Sequence, residues 1–382
     1  MAKARESEFI GSVCGKFCSV LPILGWSRSY NRQWLSMDFI AGITLAAFTI
    51  PEDLAYASLA GLRPEMGLYA TLMASFIYFL TGTSRQLSMG PTSSLSILIA
   101  AELSSLALNP DQYIASATFT GFLMGIIAIF AYLFRFGFLS KLISSTVLTG
   151  FVAGAAVYIA SSQIATLLGV PGGGSLFTER ISNVISHIHQ VNPASLALGL
   201  AAILVLVLMR RKYPTIPWTL VVVIGSILLI SFTDLKNLGI AVVGYVPPGL
   251  PPLRIPIIPS SDLDAIYALA GGCFLLAYVE QMGIVKTLAR ENDYDIDEGQ
   301  ELLSMGLCNL ANSLAHGFVV GGSYSRSSVN NQLGAKTQLA GGITGLIVMI
   351  VILFLTGLLS NLPHTTLAAI ILVAVLNLVH LS

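Results

Sequence analysis

The chain has 382 residues, of which 55% are hydrophobic and only 10% are charged, and its mean hydropathy is +0.81. A soluble domain carries about 25% charged residues, so this composition excludes a soluble protein and predicts an integral membrane protein. The 19 basic and 19 acidic residues balance to zero net charge, which argues against a nucleic-acid partner.

Twelve apolar stretches follow one another along the chain, and we interpret each as a membrane-spanning helix. They are predicted at 38–60, 67–81, 90–107, 112–134, 140–168, 193–209, 216–232, 264–289, 300–316, 323–334, 338–358 and 363–380. The polar N-terminal segment 1–37 lacks the pattern of a signal peptide, so we expect it to stay in the cytoplasm. The sequence therefore predicts an all-α polytopic membrane protein.

The distribution of Lys and Arg predicts the orientation of these spans, because basic residues are enriched in cytoplasmic loops. With the N-terminus inside, fourteen of the 19 basic residues lie on the cytoplasmic side. Four lie outside, namely Arg63, Arg180, Lys236 and Arg254. Both termini are therefore expected to be cytoplasmic.

Two of the predicted spans are interrupted in the same way. One opens with Ser88-Met89-Gly90-Pro91-Thr92-Ser93-Ser94, and the other opens with Val319-Val320-Gly321-Gly322-Ser323-Tyr324-Ser325-Arg326. Interrupted helices at corresponding places in two halves are typical of inverted-repeat transporters, whose binding site lies at the breaks. Two helix N-termini that face each other there would favour an anion. The alternative is that the glycines only allow close helix packing.

The repeat divides the chain into parts of unequal length. We predict a first repeat at 38–232 with helices 1–7, an extracytoplasmic linker at 233–261, and a second repeat at 262–382 with helices 8–12. The second repeat is shorter, so we expect about 12 of the 14 helices of a complete seven-plus-seven fold. The second repeat is thus predicted to be incomplete.

Ionisable residues inside the predicted spans are candidates for function, because burying charge in a membrane is costly. Arg326 lies in the first turn of an interrupted helix beside Ser323 and Ser325, and this group of donors suits an oxyanion. Glu280 lies deep in an apolar span, and we hypothesise that its protonation releases Arg326, so that proton and anion move together. The alternative is that Arg326 pairs with Glu280 only to hold two helices together.

The first and third spans contribute further candidates. Pro51 is expected to break the first helix. Glu52 and Tyr56 are spaced i, i+4 and share one face if the helix resumes, where Tyr56 would supply a hydroxyl. Asp53 is expected to point elsewhere and to be solvated at the break. Ser96 would complete a hydroxyl lining, unless its hydroxyl bonds its own backbone.

The remaining motifs do not indicate a metal, a cofactor or ATP as an energy source. His187 and His189 lack a third ligand. Gly334-Ala335-Lys336-Thr337 lacks the glycine pattern of a phosphate-binding loop. We therefore predict no metal and no cofactor.

Three blocks of the sequence resemble the SulP family of anion permeases, which includes plant and bacterial sulfate transporters and animal anion exchangers. The likeness runs from about Leu21 to the end of the chain. The blocks are Pro51–Leu62 with Gly67–Tyr69, Glu280–Lys286, and Gly322–Asn331 with Gly334–Gln338.

This resemblance implies a fourteen-helix, seven-plus-seven fold with core and gate domains, a homodimer, and a cytoplasmic STAS domain after the last helix. It also implies that Glu280 is the proton-coupling carboxylate. Ser325 and Arg326 would contact the anion beside Tyr56 and Ser96. Glu52 departs from the family, which usually has glutamine at that position. By this comparison the chain lacks the last two helices and the STAS domain.

The leading functional hypothesis is a secondary active transporter of a small oxyanion, with proton-coupled sulfate uptake by alternating access. Its partners would be the anion, protons and membrane lipid. The alternative is an uncoupled exchanger or channel for chloride, bicarbonate or a dicarboxylate on the same fold. An inactive scaffold and an intramembrane serine hydrolase are further hypotheses. No histidine or lysine lies close in sequence to activate a serine near Glu280, so we predict that the protein is not an enzyme.

Overall fold

The part of the protein that the structure describes is built almost entirely of helices. This computed structural model describes residues 21–106, 108–136, 154, 157, 160–161, 163–172, 177–213, 216, 218–257 and 263–380. Its elements are α1 Ile23–Trp26, α2 Leu35–Leu59, α3 Pro64–Thr81, β1 Met89–Gly90, α4 Ser93–Ser105, α5 Pro110–Leu133, α6 Phe177–Ser186, α7 Pro193–Lys212, α8 Trp218–Phe232, α9 Leu263–Glu291, α10 Glu298–Leu314, β2 Gly321–Gly322, α11 Tyr324–Gln332, α12 Leu339–Ile350, α13 Thr356–Leu359 and α14 His364–His380. Short 3₁₀ turns occur at Arg32–Trp34, Ile188–Gln190 and Asp234–Leu238, and a π-helical turn at Val351–Leu355 joins α12 to α13.

The described helices confirm the prediction of an all-α fold. Four helical segments among the described residues are long and apolar enough to cross a membrane, namely Arg32–Leu59, Pro110–Leu133, Leu263–Glu291 and Leu339–Leu359. The helices found at the other predicted spans are shorter, in part because the two interrupted spans contain short strands. The span predicted at 140–168 and the start of the second repeat at 262 lie wholly or mostly outside the described residues.

α2 runs through Pro51 without a break, so the expected interruption of the first span is wrong. A proline removes one N–H from the helical ladder, and in membrane proteins neighbouring helices and local adjustments sustain the loss. The stretch around Pro51 is buried by such neighbours, from Phe48 to Ala57. Because the helix continues, Glu52 and Tyr56 do lie on one face of α2.

The two interrupted spans meet, as the sequence predicts. β1 and β2 pair antiparallel, and Met89 lies opposite Gly322. The pairing is extended by Ser323, whose N–H donates to the Ser88 carbonyl oxygen at 3.0 Å. Backbone groups inside a membrane need such partners because lipid supplies none. α4 and α11 begin directly after these strands, so both helix N-termini leave the same two-stranded ribbon.

Asp38 connects the start of α2 to the segment between α11 and α12 through hydrogen bonds. Its buried carboxylate accepts hydrogen bonds from Lys336 N at 2.7 Å, Thr337 N at 3.1 Å and Thr337 Oγ1 at 2.7 Å. Tyr30 donates its hydroxyl to the same carboxylate at 3.1 Å. Burial and the neighbouring Asp38 raise the pKa of Tyr30 to about 12, so the phenol remains a donor at neutral pH. These contacts connect the helix that carries Glu52 with the end of α11.

The two largest apolar clusters of the described residues include side chains of the ribbon and of α2. The first contains side chains of α3, α4, α5, α9 and α10, together with Met89, Val319 and Val320 at the ribbon. The second contains side chains of α2, α7, α8, α12 and α14, and includes Tyr56. The ribbon and the buried polar residues of α2 are therefore enclosed by apolar packing.

Candidate anion site

Arg326 lies where α2, β1 and α11 come together, and its side chain is only 1% exposed. Its Nη1 donates to Asp53 Oδ1 at 3.0 Å, and its Nη2 donates to the Pro91 carbonyl oxygen at 2.6 Å. Its Nε lies 3.9 Å from Glu52 Oε2. Charge-assisted bonds of this kind are roughly twice as strong as neutral ones. This one guanidinium therefore connects α2 with the segment between β1 and α4.

Two sequence expectations about charge pairing are wrong. Arg326 pairs with Asp53 rather than with Glu280, and Asp53 is fully buried rather than solvated. The physical reason is the continuity of α2 through Pro51, which keeps residue 53 on a helix face that packs against α11. Adjacent positions on a helix differ by about 100°, and Arg326 is long enough to approach both Glu52 and Asp53.

Glu280 lies against the first turn of α4. Its Oε2 accepts a hydrogen bond from Ser94 Oγ at 3.0 Å. The Ser94 hydroxyl is also 3.2 Å from Thr92 Oγ1, and Thr92 caps α4 by accepting from Leu95 N. The carboxyl group of α9 is thus connected through hydroxyls to the N-terminus of an interrupted helix, where the helix dipole favours negative charge.

Hydroxyl groups lie at the starts of α4 and α11, and the start of α11 has no side-chain cap. Ser323 is the N-cap of α11, but its side chain makes no capping bond, and its Oγ lies 3.3 Å from Ser325 Oγ. Ser96 is fully buried and its hydroxyl makes no hydrogen bond to any described residue, so the backbone bond considered for it is not found. Tyr56 is also buried, whereas Ser325 is half-buried. Donors that could serve a ligand therefore remain at this point of the fold.

Glu52 faces a narrow cavity of about 20 Å³ as well as Arg326. The cavity lies between α2 and the helices α7, α8 and α14, and Trp218, Thr219 and Ile370 contribute to its wall. Such a volume holds about one water molecule. Glu52 therefore lies between the buried cation and a space large enough for solvent.

Sequence reasoning gave no role to Gly90, which makes room for the guanidinium, or to Thr71, which lies beside Gly90. A Cβ atom on Gly90 would lie 2.6 Å from Thr71 Oγ1 and 2.9 Å from Arg326 Nη1. Contacts under 3.0 Å essentially never occur for real Cβ atoms, so Gly90 is required by the close approach of Arg326. Gly90 could have been found from its place in the break, whereas nothing in the sequence singles out Thr71.

We expect Gly90→Ala to destabilise the protein by about 1–3 kcal/mol, the usual effect of an added methyl group in a packed interior. The added Cβ would push Arg326 away from Asp53. The measurement is thermal unfolding of the detergent-solubilised protein. Gly271→Ala is the matched control, because beyond its chain neighbours and its own helix backbone no atom of the described residues lies within 4 Å of its added Cβ. Equal melting temperatures for the two variants would contradict the close contact.

Comparison with known proteins assigns the chain to a defined family. The sequence pattern of the Sulfate permease family matches residues 35–382. A Mycobacterium tuberculosis protein named a probable sulfate transporter is 34% identical over 365 residues, which cover 94% of this chain and 65% of that protein. This chain therefore spans just under two thirds of the length of that relative.

Solved structures show the same fold. Murine Solute Carrier 26 family member A9, an anion transporter in the inward-facing state, superposes with a TM-score of 0.89 at 24% identity, covering 94% of this chain and 63% of that chain. The transmembrane domain of the cyanobacterium bicarbonate transporter BicA superposes with a TM-score of 0.84 at 24% identity, covering 92% of this chain and 90% of that chain. These matches confirm a multi-pass membrane transporter fold. Since the family pattern covers nearly the whole chain, this protein belongs to the Sulfate permease family, a family of transporters rather than enzymes.

Proposed function

We propose that this chain forms the membrane-spanning part of a secondary active transporter that carries a small inorganic oxyanion, with sulfate as the substrate. The observation that carries this proposal is the β1–β2 pairing, which brings two helix N-termini and the buried Arg326 together. Unpaired N–H groups at helix starts, hydroxyls and a guanidinium are the donors that tetrahedral oxyanions accept. The name of the mycobacterial relative supports sulfate among such anions.

The proposed ligand groups come from three elements and their starts. α2 contributes Glu52 and Tyr56, α4 contributes Ser96, and the start of α11 contributes Ser323, Ser325 and Arg326. The hydroxyls and the guanidinium would donate to the anion. Glu52 can serve an anion only when it is protonated, because an ionised carboxylate offers no donor.

The charges around Arg326 support coupling to protons. One guanidinium faces the carboxyl groups of Asp53 and Glu52, and Glu280 lies nearby at the start of α4. With all three carboxyl groups ionised, the region would carry two net negative charges, which would repel an anion strongly in a low-dielectric interior. Protons that neutralise carboxyl groups remove this repulsion. We therefore propose that protons accompany the anion by alternating access, and that Glu280 is a proton-coupling residue.

A second candidate function uses the same site without coupling. The alternative is an uncoupled exchanger or channel for bicarbonate or chloride, and the bicarbonate transporter BicA, which shares the fold, supports bicarbonate among these substrates. A dicarboxylate exchanger is the remaining variant of this alternative. These activities would use the same helix starts, but the uptake rate would not depend on a proton gradient.

We also propose the orientation and assembly that the sequence predicts. In the predicted topology fourteen basic residues fall on the side of the N-terminus and four on the other side, which supports cytoplasmic termini and an extracytoplasmic linker at 233–261. The family resemblance supports a homodimer. The orientation is tested by placing single cysteines at positions 63 and 85 and measuring from which side of the membrane each can be labelled. Arg63 and Arg85 are predicted to lie on opposite sides.

Uptake of radiolabelled sulfate by the full-length protein in proteoliposomes tests the proposed function. We expect faster uptake when the external pH is below the internal pH, with acidification of the lumen reported by a trapped pH-sensitive dye. Unlabelled sulfate should compete better than chloride or bicarbonate, and protein-free liposomes are the control. Sulfate uptake that does not depend on the pH gradient and is inhibited by chloride or bicarbonate would favour the alternative. The absence of uptake of any anion would contradict both functions.

A further inference from the structure

We infer that Asp53, rather than Glu280, is the carboxyl group whose protonation frees Arg326 for the transported anion. The inference rests on the proposed function and concerns the regulation of the same site. Its starting point is the 3.0 Å hydrogen bond from Arg326 Nη1 to Asp53 Oδ1, which joins two side chains that are 1% and 0% exposed. If Arg326 binds the transported anion, the mechanism must include a step that weakens this buried pair.

Asp53 occupies the place of an anion on the guanidinium. A carboxylate presents the same kind of oxygen acceptor as sulfate, so Asp53 competes with the substrate for Nη1. The other terminal nitrogen, Nη2, is engaged by the Pro91 carbonyl oxygen at 2.6 Å. Because the pair is enclosed, a substrate can gain the Nη1 hydrogen that Asp53 holds only if Asp53 loses its charge or moves away.

The packing of α2 leaves Asp53 little freedom to move. A Cβ atom on Gly67 would overlap the Asp53 carbonyl oxygen, which shows that α2 and α3 touch backbone to backbone at this residue. On the opposite side Gly90 admits the guanidinium only because it has no side chain. Protonation removes the charge of Asp53 without a helix shift. It is therefore the simplest change that weakens the pair.

Among the described residues, no other carboxyl group holds Arg326 as closely as Asp53 does. Glu52 and Tyr56 of α2 and Arg326 of α11 are its titratable and charged neighbours, and α3 faces it with the Thr71 hydroxyl. Glu52 Oε2 lies 3.9 Å from Arg326 Nε, beyond hydrogen-bond distance. Glu280 of α9 bonds Ser94 instead. Protonation of Glu280 would alter the start of α4 but would remove no partner from Arg326.

The inference predicts a specific pH dependence of substrate affinity. If one proton must bind Asp53 for each anion that binds Arg326, the logarithm of KM rises with a slope of about one against pH wherever Asp53 is ionised, which is about tenfold per pH unit. Proton binding and anion binding are reciprocal, so each raises the affinity of the protein for the other. Substitution of a residue with a purely structural role would change the stability of the protein without changing this slope.

Asp53→Asn is the decisive variant. Asparagine keeps the acceptor oxygen for Arg326 but cannot ionise, so we expect the slope of log KM against pH to fall from about one to near zero, with affinity at alkaline pH higher than that of the wild type by about tenfold or more. Glu280→Gln should weaken the dependence of the uptake rate on the pH gradient but retain the wild-type slope of log KM, because Glu280 bonds Ser94 and not Arg326. The matched control is Asp111→Asn, at the exposed start of α5, which should keep both KM and slope. Sulfate affinity is measured by uptake and by ligand-induced thermal stabilisation in detergent.

The outcomes separate this inference from the proposed function. A wild-type slope in Asp53→Asn, or a slope lost in Glu280→Gln instead, overturns it, as does a folded Asp53→Asn protein that binds no sulfate at any pH. If Asp53→Asn does not fold, Asp53→Ser removes the same charge and carries the same expectation. A wild-type protein that carries no anion contradicts the proposed function, and the inference falls with it.

Discussion

Replacing Arg326 by alanine is expected to lower the free energy of unfolding by about 3–5 kcal/mol and to abolish sulfate binding. The side chain is 1% exposed, and its removal leaves the Asp53 carboxylate buried without its cation. Removing one member of a buried ion pair is far more damaging than removing both, because the remaining charge has no compensation. The measurements are thermal unfolding in detergent and thermal stabilisation by sulfate.

The double variant Arg326→Ala/Asp53→Asn separates structure from binding. Since it removes both charges, we expect it to regain much of the lost stability, whereas sulfate binding should remain absent. Arg63→Ala, at the exposed N-cap of α3, is the control and should change stability by no more than about 0.5 kcal/mol. Wild-type sulfate binding by the double variant would show that Arg326 does not contact the anion.

Glu301→Gln is expected to be the second most damaging substitution, at about 3 kcal/mol, because several charge-assisted hydrogen bonds end on this one buried carboxylate. Its oxygens accept from Tyr78 Oη at 2.9 Å, Thr83 N at 2.9 Å, Thr83 Oγ1 at 2.6 Å, Ser84 N at 3.2 Å and Gln281 Nε2 at 2.9 Å. Every contact is with a donor, whereas glutamine would bring an NH₂ group against one of them. The measurement is again thermal unfolding in detergent.

We expect the loss of the Glu301 carboxylate to affect the anion site as well. Thr83 and Ser84 belong to the connection between α3 and β1, and Gln281 is the neighbour of Glu280 on α9. We therefore expect Glu301→Gln also to raise the KM for sulfate, since β1 and α9 lose a common support. Glu298→Gln, one turn earlier on α10, removes only a partly exposed ion pair with Lys286 and serves as the matched control. Wild-type stability in Glu301→Gln would contradict this role.

The sequence alone predicted the elements of this fold closely. The span expected at 112–134 is α5 at Pro110–Leu133, and the span expected at 264–289 is α9 at Leu263–Glu291. Long apolar runs predict membrane helices reliably, because a backbone segment in lipid must form its hydrogen bonds within itself and a helix allows this. The two interrupted spans were predicted for a related reason, since glycine or proline followed by hydroxyl residues marks a broken helix and a new helix start.

The candidate site was predicted only in part. Arg326 and Glu280 were recognised because a charge inside an apolar run has few explanations other than function. The effect of Pro51 was misjudged, because proline alone does not show whether neighbouring helices will hold a helix together. That error carried over to Asp53, which was expected to be solvated and is instead fully buried.

What the sequence by itself determined is the number and type of most elements, the position of the two breaks and the identity of the charged residues that lie among them. Only the tertiary structure decided that Arg326 bonds Asp53, 273 positions away, while Glu280 bonds Ser94. The hydropathy of a segment determines whether that segment forms a membrane helix, independently of the other segments. The partner of a buried charge depends instead on the rotation of each helix and on small residues such as Gly67 and Gly90, which allow helices to approach closely.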